Sequence, residues 1–135
     1  VTLIVDASVA VKWVLLEPQR DRALALIGAE TLAAPDVLRA EFVQVMARET
    51  RRGAFTPEDA RLGLGLFDRV LIRLEPSTPL LDEAFAIALT LRASVYDSLY
   101  LALALREGAQ VVTADQRFAE AALANPSYAG SIRLL

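Results

Sequence analysis

The chain has no cysteine, no histidine and a single lysine, Lys12, set against thirteen arginines. Without cysteine there is no disulfide scaffold, thiolate zinc site, thiol nucleophile or redox centre. Without histidine there is no Ser-His-Asp or Cys-His machinery, no imidazole base and no ordinary zinc enzyme site. Any metal must therefore be held by oxygen, which points to magnesium, manganese or calcium. Long apolar runs are also missing. The longest, Leu99 to Leu105, falls far short of the roughly 20 residues that a spanning helix needs. The apolar stretch from Val1 to Leu16 is interrupted by Asp6 and Lys12 and lacks a basic leader, so it makes a poor signal peptide. The expectation is a soluble, cytoplasmic protein with no membrane association.

A length of 135 residues predicts a single domain, 1–135, able to bury a core without staples. With glycine counted in and tyrosine left out, the apolar share is roughly 57%, above the usual ~45–50%. That excludes a disordered chain and exceeds what a monomer with a fully wet surface needs. The net charge of −3 argues against holding nucleic acid by bulk charge, though it leaves room for a local basic rim.

Strand and helix patterns alternate. Thr2-Leu3-Ile4-Val5 is a β-branched apolar run of the kind buried on both faces. Helices are predicted over Ala7–Leu16, Arg20–Ala29, Asp36–Arg52, Pro57–Ile72, Leu80–Arg92, Tyr96–Glu107 and Gln116–Ala124. Thr56-Pro57-Glu58 opens one with an N-cap, an N1 proline and an acidic first turn, and Arg51-Arg52-Gly53 closes another. Further extended segments fall at Leu32–Ala34, Gln110–Thr113 and Ile132–Leu135. The helix from Tyr96 is apolar almost all round and belongs in the centre. This order predicts an α/β fold, a short parallel sheet with helices on both faces.

Four carboxylates stand out. Asp6 and Asp115 each end a strand and precede a helix, so either can be a simple N-cap; sites in open α/β sheets form at the same strand ends. Glu41 interrupts the row Val37, Glu41, Val45, beside the apolar row Leu38, Phe42, Met46. It is either the edge of a stripe or a buried charge that needs a cation or hydrogen bonds. Asp97 fits the third position of a capping box headed by Ser94, yet it opens the most apolar helix. Together the four suggest one acidic pocket, which a hard divalent ion would neutralise. The hydroxyls of Ser8 and Thr113 lie two residues from Asp6 and Asp115, placed either to support that pocket or to cap locally.

The ordered set Val5-Asp6-Ala7-Ser8, Glu41 after a proline-led turn, Tyr96-Asp97-Ser98-Leu99-Tyr100-Leu101-Ala102, and Thr113-Ala114-Asp115 followed by Phe118 resembles the PIN domain. That is a metal-dependent ribonuclease fold, and the chain is similar within it to the VapC-like toxins of bacterial toxin–antitoxin pairs. The resemblance covers essentially the whole chain. It implies a three-layer sandwich and an endoribonuclease leaving a 5′-phosphate and a 3′-hydroxyl, with Mg2+, or Mn2+, as cofactor. Asp6 and Asp97 would be the principal ligands. Asp115 would complete the site directly or through water, and Glu41 would bind a second ion or help deprotonate the water. It also implies a homodimer and a cognate antitoxin lying in an apolar groove, for which the helical faces of Ala7–Leu16 and Pro57–Ile72 are the candidates.

Chemistry without histidine agrees with this, since water must then be activated by metal coordination or by a carboxylate. Setting the four carboxylates aside turns the net charge from −3 to +1, which concentrates the acidity at the site. Arg48, Arg51 and Arg52 could form a basic rim for RNA phosphates or merely finish a helix, and Arg117 beside Asp115 is a further candidate. The rivals are a receiver-type or aspartyl-phosphate domain, a PIN-like RNA-processing nuclease without an antitoxin, and a non-catalytic scaffold. The first needs a lysine beside the phosphoryl group, and the only lysine lies on the first helix.

Overall fold

The computed structural model describes residues 1–135. The first strand, β1 (Thr2–Val5), is buried on both faces, as its run of Leu3, Ile4 and Val5 requires. It is central in a five-stranded sheet with β2 (Thr31–Pro35), β3 (Ile72–Glu75), β4 (Gln110–Thr113) and β5 (Ile132–Leu134). The order is β3-β2-β1-β4-β5 and every pairing is parallel. Leu3 lies opposite Leu32 on one side and Gln110 on the other. The chain runs outward from β1 through β2 to β3, then returns to the other side of β1 for β4 and β5. The switch in direction therefore falls between β1 and β4, where open sheets of this kind form their crevice.

Helices flank the sheet. They are α1 (Ala7–Ala10), α2 (Arg20–Ala25), α3 (Val37–Arg51), α4 (Pro57–Arg69), α5 (Leu81–Leu91), α6 (Val95–Glu107) and α7 (Gln116–Leu123). The all-round apolar helix is where its composition sends it: Ser98 to Ala104 of α6 are buried without a break, against β1, β2 and β4. No single helix is long and apolar enough to cross a membrane.

Three expectations need correction. The helix over Ala7–Leu16 is only α1 followed by a 3-10 turn, Val11–Trp13. The chain is drawn out of the α-helix there by partners further on: Trp13 Nε1 donates to the Ala23 carbonyl at 2.9 Å, and Lys12 Nζ to the Pro18 carbonyl at 2.9 Å. Val9, Ala10, Val11 and Trp13 are core, so this segment offers no apolar docking face. The second helix stops at Ala25, ahead of Gly28 in a left-handed conformation.

The third correction concerns α4. It ends at Arg69 and Ile72–Glu75 pairs with β2 as an edge strand, because Val70 and Ile72 prefer extended backbone once a parallel neighbour offers hydrogen bonds. Leu62 and Leu66, on the helix offered as a candidate interaction face, point outward at 68% and 56% exposed. Ala60, Gly63 and Phe67 face inward instead, and the Phe67 ring stacks on Phe42 with centroids 4.1 Å apart. Small residues at 60 and 63 let α4 approach α3 closely enough for this contact; a Cβ on Gly63 would sit 3.0 Å from Met46 Cε.

Phe67→Ala is expected to lose about 3–5 kcal/mol of stability in urea unfolding, whereas Leu66→Ala should stay within about 0.5 kcal/mol.

Candidate active site

The four carboxylates singled out in the sequence all lie at the carboxyl-end edge of the sheet or on helices facing it. Their burial is graded: Asp6 is buried, Glu41 and Asp97 are half-buried, and Asp115 is exposed. Asp6 leaves β1 as the N-cap of α1. Its Oδ1 accepts from the Ser8 hydroxyl at 2.5 Å and from Val9 N–H at 3.2 Å. Asp115 likewise caps α7, accepting from Phe118 N–H at 3.1 Å. Ser94 caps α6 by accepting from Asp97 N–H at 3.0 Å, so Asp97 occupies the third helical position. Capping and site-building are thus the same placement: a helix start at a strand end holds an acid with its carboxylate at the crevice.

The predicted hydroxyls tie the two central strands together there. Ser8 Oγ accepts from Ala114 N–H at 2.8 Å and lies 3.3 Å from Thr113 Oγ1. Since the one Ser8 proton goes to Asp6, Thr113 is the donor in that contact. Thr113 Oγ1 also accepts from Asp115 N–H at 3.1 Å. The chain Thr113–Ser8–Asp6 therefore fixes the carboxylate on β1 to the turn that carries Asp115.

Tyr100, to which the sequence reading assigned no role, supplies what Glu41 lacked. Its phenol donates to Glu41 Oε1 at 2.6 Å, joining α6 to α3. A signal was present: Tyr100 carries the one hydroxyl in the long buried run after Ser98, one helical turn beyond Asp97. Its pKa is raised by burial and then by the charge of Glu41.

Electrostatics link the four in pairs through Asp97. Burial pushes the Asp6 carboxyl up to about 6, against hydrogen bonds that lower it, with Asp97 adding a smaller upward push. Glu41 is raised by burial, opposed by the Tyr100 bond and assisted by the charge of Asp97. Asp97 is raised by burial and by the charge of Asp115. Asp97 is the common member, felt by Asp6 and Glu41 and itself feeling Asp115. No three acidic side chains stand close enough, as placed, to form a ready ion-binding group. In donor chemistry the set fits a hard divalent cation, every candidate donor being a carboxylate or hydroxyl oxygen.

Asp115 lines two clefts. One, of about 410 Å³, is lined by Asp97, Asp115, Arg117 and Arg92 among others. The other, of about 360 Å³, is lined by Ser8, Lys12, Arg48 and Asp115 among others. Arg48 and Arg117 thus reach the site, but Arg51 and Arg52 do not line either cleft. Arg48 and Arg52 share Glu49 at 3.4 Å, which mutes the anticipated rim. Arg92 and Lys12 were not foreseen. Lys12 is buried, with Nζ 3.3 Å from Glu17.

The PIN domain family model matches residues 3–123. The chain belongs to the PIN-domain family. Within that family, it is 31% identical over 118 residues to ribonuclease VapC9 of Mycobacterium tuberculosis, covering 87% of this chain and 89% of VapC9. Among solved structures, the PIN fold seen here is similar to VapC20 of Mycobacterium tuberculosis, a Sarcin-Ricin loop cleaving toxin, with a TM-score of 0.68 at 16% identity, over 88% of this chain and 94% of that one. It is also similar to VapBC2 from Rickettsia felis bound to a DNA fragment from their promoter, with a TM-score of 0.69 at 15% identity, over 99% and 98% of the two chains. The expected α/β fold and the VapC-like resemblance both stand.

The burial of Asp6 makes a pH prediction. Folded, the carboxyl holds its proton to about 6; unfolded, only to 3.8. The folded state binds more protons in between, so this group's contribution to stability falls as pH rises through that window and stays low above it. The full rise corresponds to about 3 kcal/mol. In metal-free buffer Asp6→Asn, which retains a capping oxygen, should unfold at higher denaturant than the wild type at neutral pH. The gap should close at about pH 4. Equal midpoints at neutral pH would show that the carboxylate is not desolvated.

Proposed function

We propose that the protein is a metal-dependent endoribonuclease, the toxin of a toxin–antitoxin pair, working through Asp6, Glu41, Asp97 and Asp115. The observation that carries this is geometric: Asp6 and Asp115 cap the helices that leave adjacent strands β1 and β4 at the switch point of a PIN fold, and Asp97 shares a cleft with Asp115. The ribonuclease VapC relatives support RNA as substrate, and the VapBC neighbour supports an antitoxin partner.

Asp6 and Asp97 would be the main holders of Mg2+, or of Mn2+, with Asp115 completing the set and Glu41 at its margin. When bound, the ion would lower the pKa of water and neutralise charge on the phosphate. The remaining work falls to the chain. The Ser8 and Val9 hydrogen bonds fix Oδ1 of Asp6, so the carboxylate needs no reordering when substrate arrives. Tyr100 fixes Oε1 of Glu41, leaving Oε2 to take a proton from the attacking water; the raised pKa of Glu41 suits that task. Water adds to phosphorus, the P–O3′ bond breaks, and O3′ takes a proton from solvent. The products are a 5′-phosphate and a 3′-hydroxyl. Arg48 and Arg117, on the two clefts that Asp115 lines, offer charge to the RNA backbone.

Two apolar rows on the surface suit protein partners, here the antitoxin and a second copy of the chain. Leu62 and Leu66 lie exposed along α4, and Leu81, Phe85 and Leu89 recur every four residues along α5. Apolar helical faces left in water usually mark interaction surfaces.

The test is cleavage of single-stranded RNA by the purified chain. Magnesium should support cutting and EDTA should stop it. Asp97→Asn should lower the rate by roughly 100-fold or more, the scale on which removal of one preorganised electrostatic group is felt. Magnesium should also raise the melting temperature of the wild type and fail to raise that of Asp97→Asn. Cutting by Asp97→Asn at the wild-type rate would sink the assignment.

A further inference from the structure

The left-handed residue that ends α5 is an arginine. Arg92 has φ 54° and ψ 41°, and the N–H after it, that of Ala93, returns to the Ala88 carbonyl at 3.2 Å. The end of α6 is built in the same way with a glycine: Gly108 has φ 63°, and Ala109 N–H returns to Ala104 at 2.9 Å. Glycine is the residue this helix ending favours, because a Cβ is crowded in left-handed backbone. The fold thus uses glycine where the turn alone matters and an arginine at the equivalent turn beside the acidic site.

That arginine lines the cleft of about 410 Å³ together with Ser94, Asp97, Asp115 and Arg117, over a floor that includes Phe118. Arg92 and Arg117 come from different elements, α5 and α7, onto one cavity. Two carboxylates share that cavity, yet neither arginine forms an ion pair with them or with any other acid. Five other arginines do form such pairs, among them Arg39 with Asp68 at 2.8 Å and Arg73 with Glu107 at 2.6 Å; what sets Arg92 and Arg117 apart is that both line a cavity that also holds two carboxylates. A pair of unneutralised guanidinium groups facing a cavity with a partly apolar floor suits a phosphodiester with its sugar or base.

We propose that this cleft seats the phosphate next to the scissile one, gripped by Arg92 and Arg117, with Arg92 as the residue that positions the strand. This rests on the nuclease reading above and deepens it by assigning the path of the RNA. The strand runs from the acids at Asp97 and Asp115 into the space between the end of α5 and the start of α7. Arg92 holds no reacting atom; it acts on binding and on register.

Arg92→Gly is the informative variant, because it relieves the backbone while removing the guanidinium. A residue kept for structure would leave RNA binding alone. The experiment measures binding of a short fluorescein-labelled single-stranded RNA in EDTA, across a salt series, for wild type, Arg92→Gly, Arg117→Ala and Arg133→Ala. Arg133, on β5, lines a cleft at the opposite end of the sheet and serves as the control. Arg92→Gly should melt at a higher temperature than wild type and bind about tenfold more weakly. Its slope of log affinity against log salt should shrink by about 0.7, the loss of one phosphate contact on a single strand. Arg117→Ala should match it in binding, and Arg133→Ala should match the wild type.

Unchanged affinity and slope in Arg92→Gly, with magnesium-dependent cutting intact, would overturn this seat and spare the nuclease reading. Arginine-dependent binding without any cutting would overturn the nuclease reading and, with it, the placing of this phosphate next to a scissile one, leaving the cleft as a phosphate-binding site only. Failure of the wild type to bind, or an equal loss in Arg133→Ala, would overturn the seat as well.

Discussion

A carboxylate buried at the end of the central strand is the constraint around which the structure is arranged. Keeping Asp6 ionised in its buried place is unfavourable by about 3 kcal/mol at neutral pH even with its hydrogen bonds counted, and the chain surrounds it with everything short of a counter-charge. Ser8 and Val9 donate to one oxygen, Thr113 supports Ser8 from the neighbouring strand, and the N-terminus of α1 lends its partial positive charge. Such a placement is possible only at a switch point, where two helices leave adjacent strands in opposite directions and open a crevice. The same sheet order therefore explains both the cost of Asp6 and the nearness of Asp115. Local stability is surrendered at the place where a cation would restore it.

The four acids differ in depth, and the difference sorts them. Asp6 is anchored in the core, Glu41 and Asp97 stand at the wall, and Asp115 faces solvent. Arginines stay outside this gradient, Arg48 on the cleft that Asp115 shares with Ser8 and Arg92 with Arg117 on the other. A polyanion would meet charge of the favourable sign on approach and the carboxylates only where its backbone bends inward.

Much of this was legible in the sequence because strands β1 and β4 are apolar runs ended by an aspartate, a local pattern with one structural outcome. The caps at Thr56, Ser94 and Asp115 were equally local. What escaped reading depended on partners distant in the chain. Which face of α4 goes inward was set by Phe67 and the small residues Ala60 and Gly63, which fit α3 and leave Leu62 and Leu66 outside. Strand β3 was hidden because an edge strand beside β2 needs few apolar residues, and Arg73 and Glu75 disguise it. Tyr100 escaped because a hydroxyl in an apolar helix reveals its partner only when α3 crosses it. Arg92 escaped because nothing in Leu91-Arg92-Ala93 announces a left-handed turn.

The strand order also has a consequence for how the protein is made. Strand β1 leaves the ribosome before the other strands, but one of its two neighbours, β4, follows only after β2, β3 and α6. A nascent chain that has emerged as far as α5 carries Asp6 and Glu41 with an open sheet edge and without Asp97, Asp115 or the Thr113–Ser8 link. Long-range parallel pairing of this kind closes late in folding. The four acids therefore come to one crevice only once β4 and the start of α7 have been made, and a chain interrupted before α6 carries only two of them.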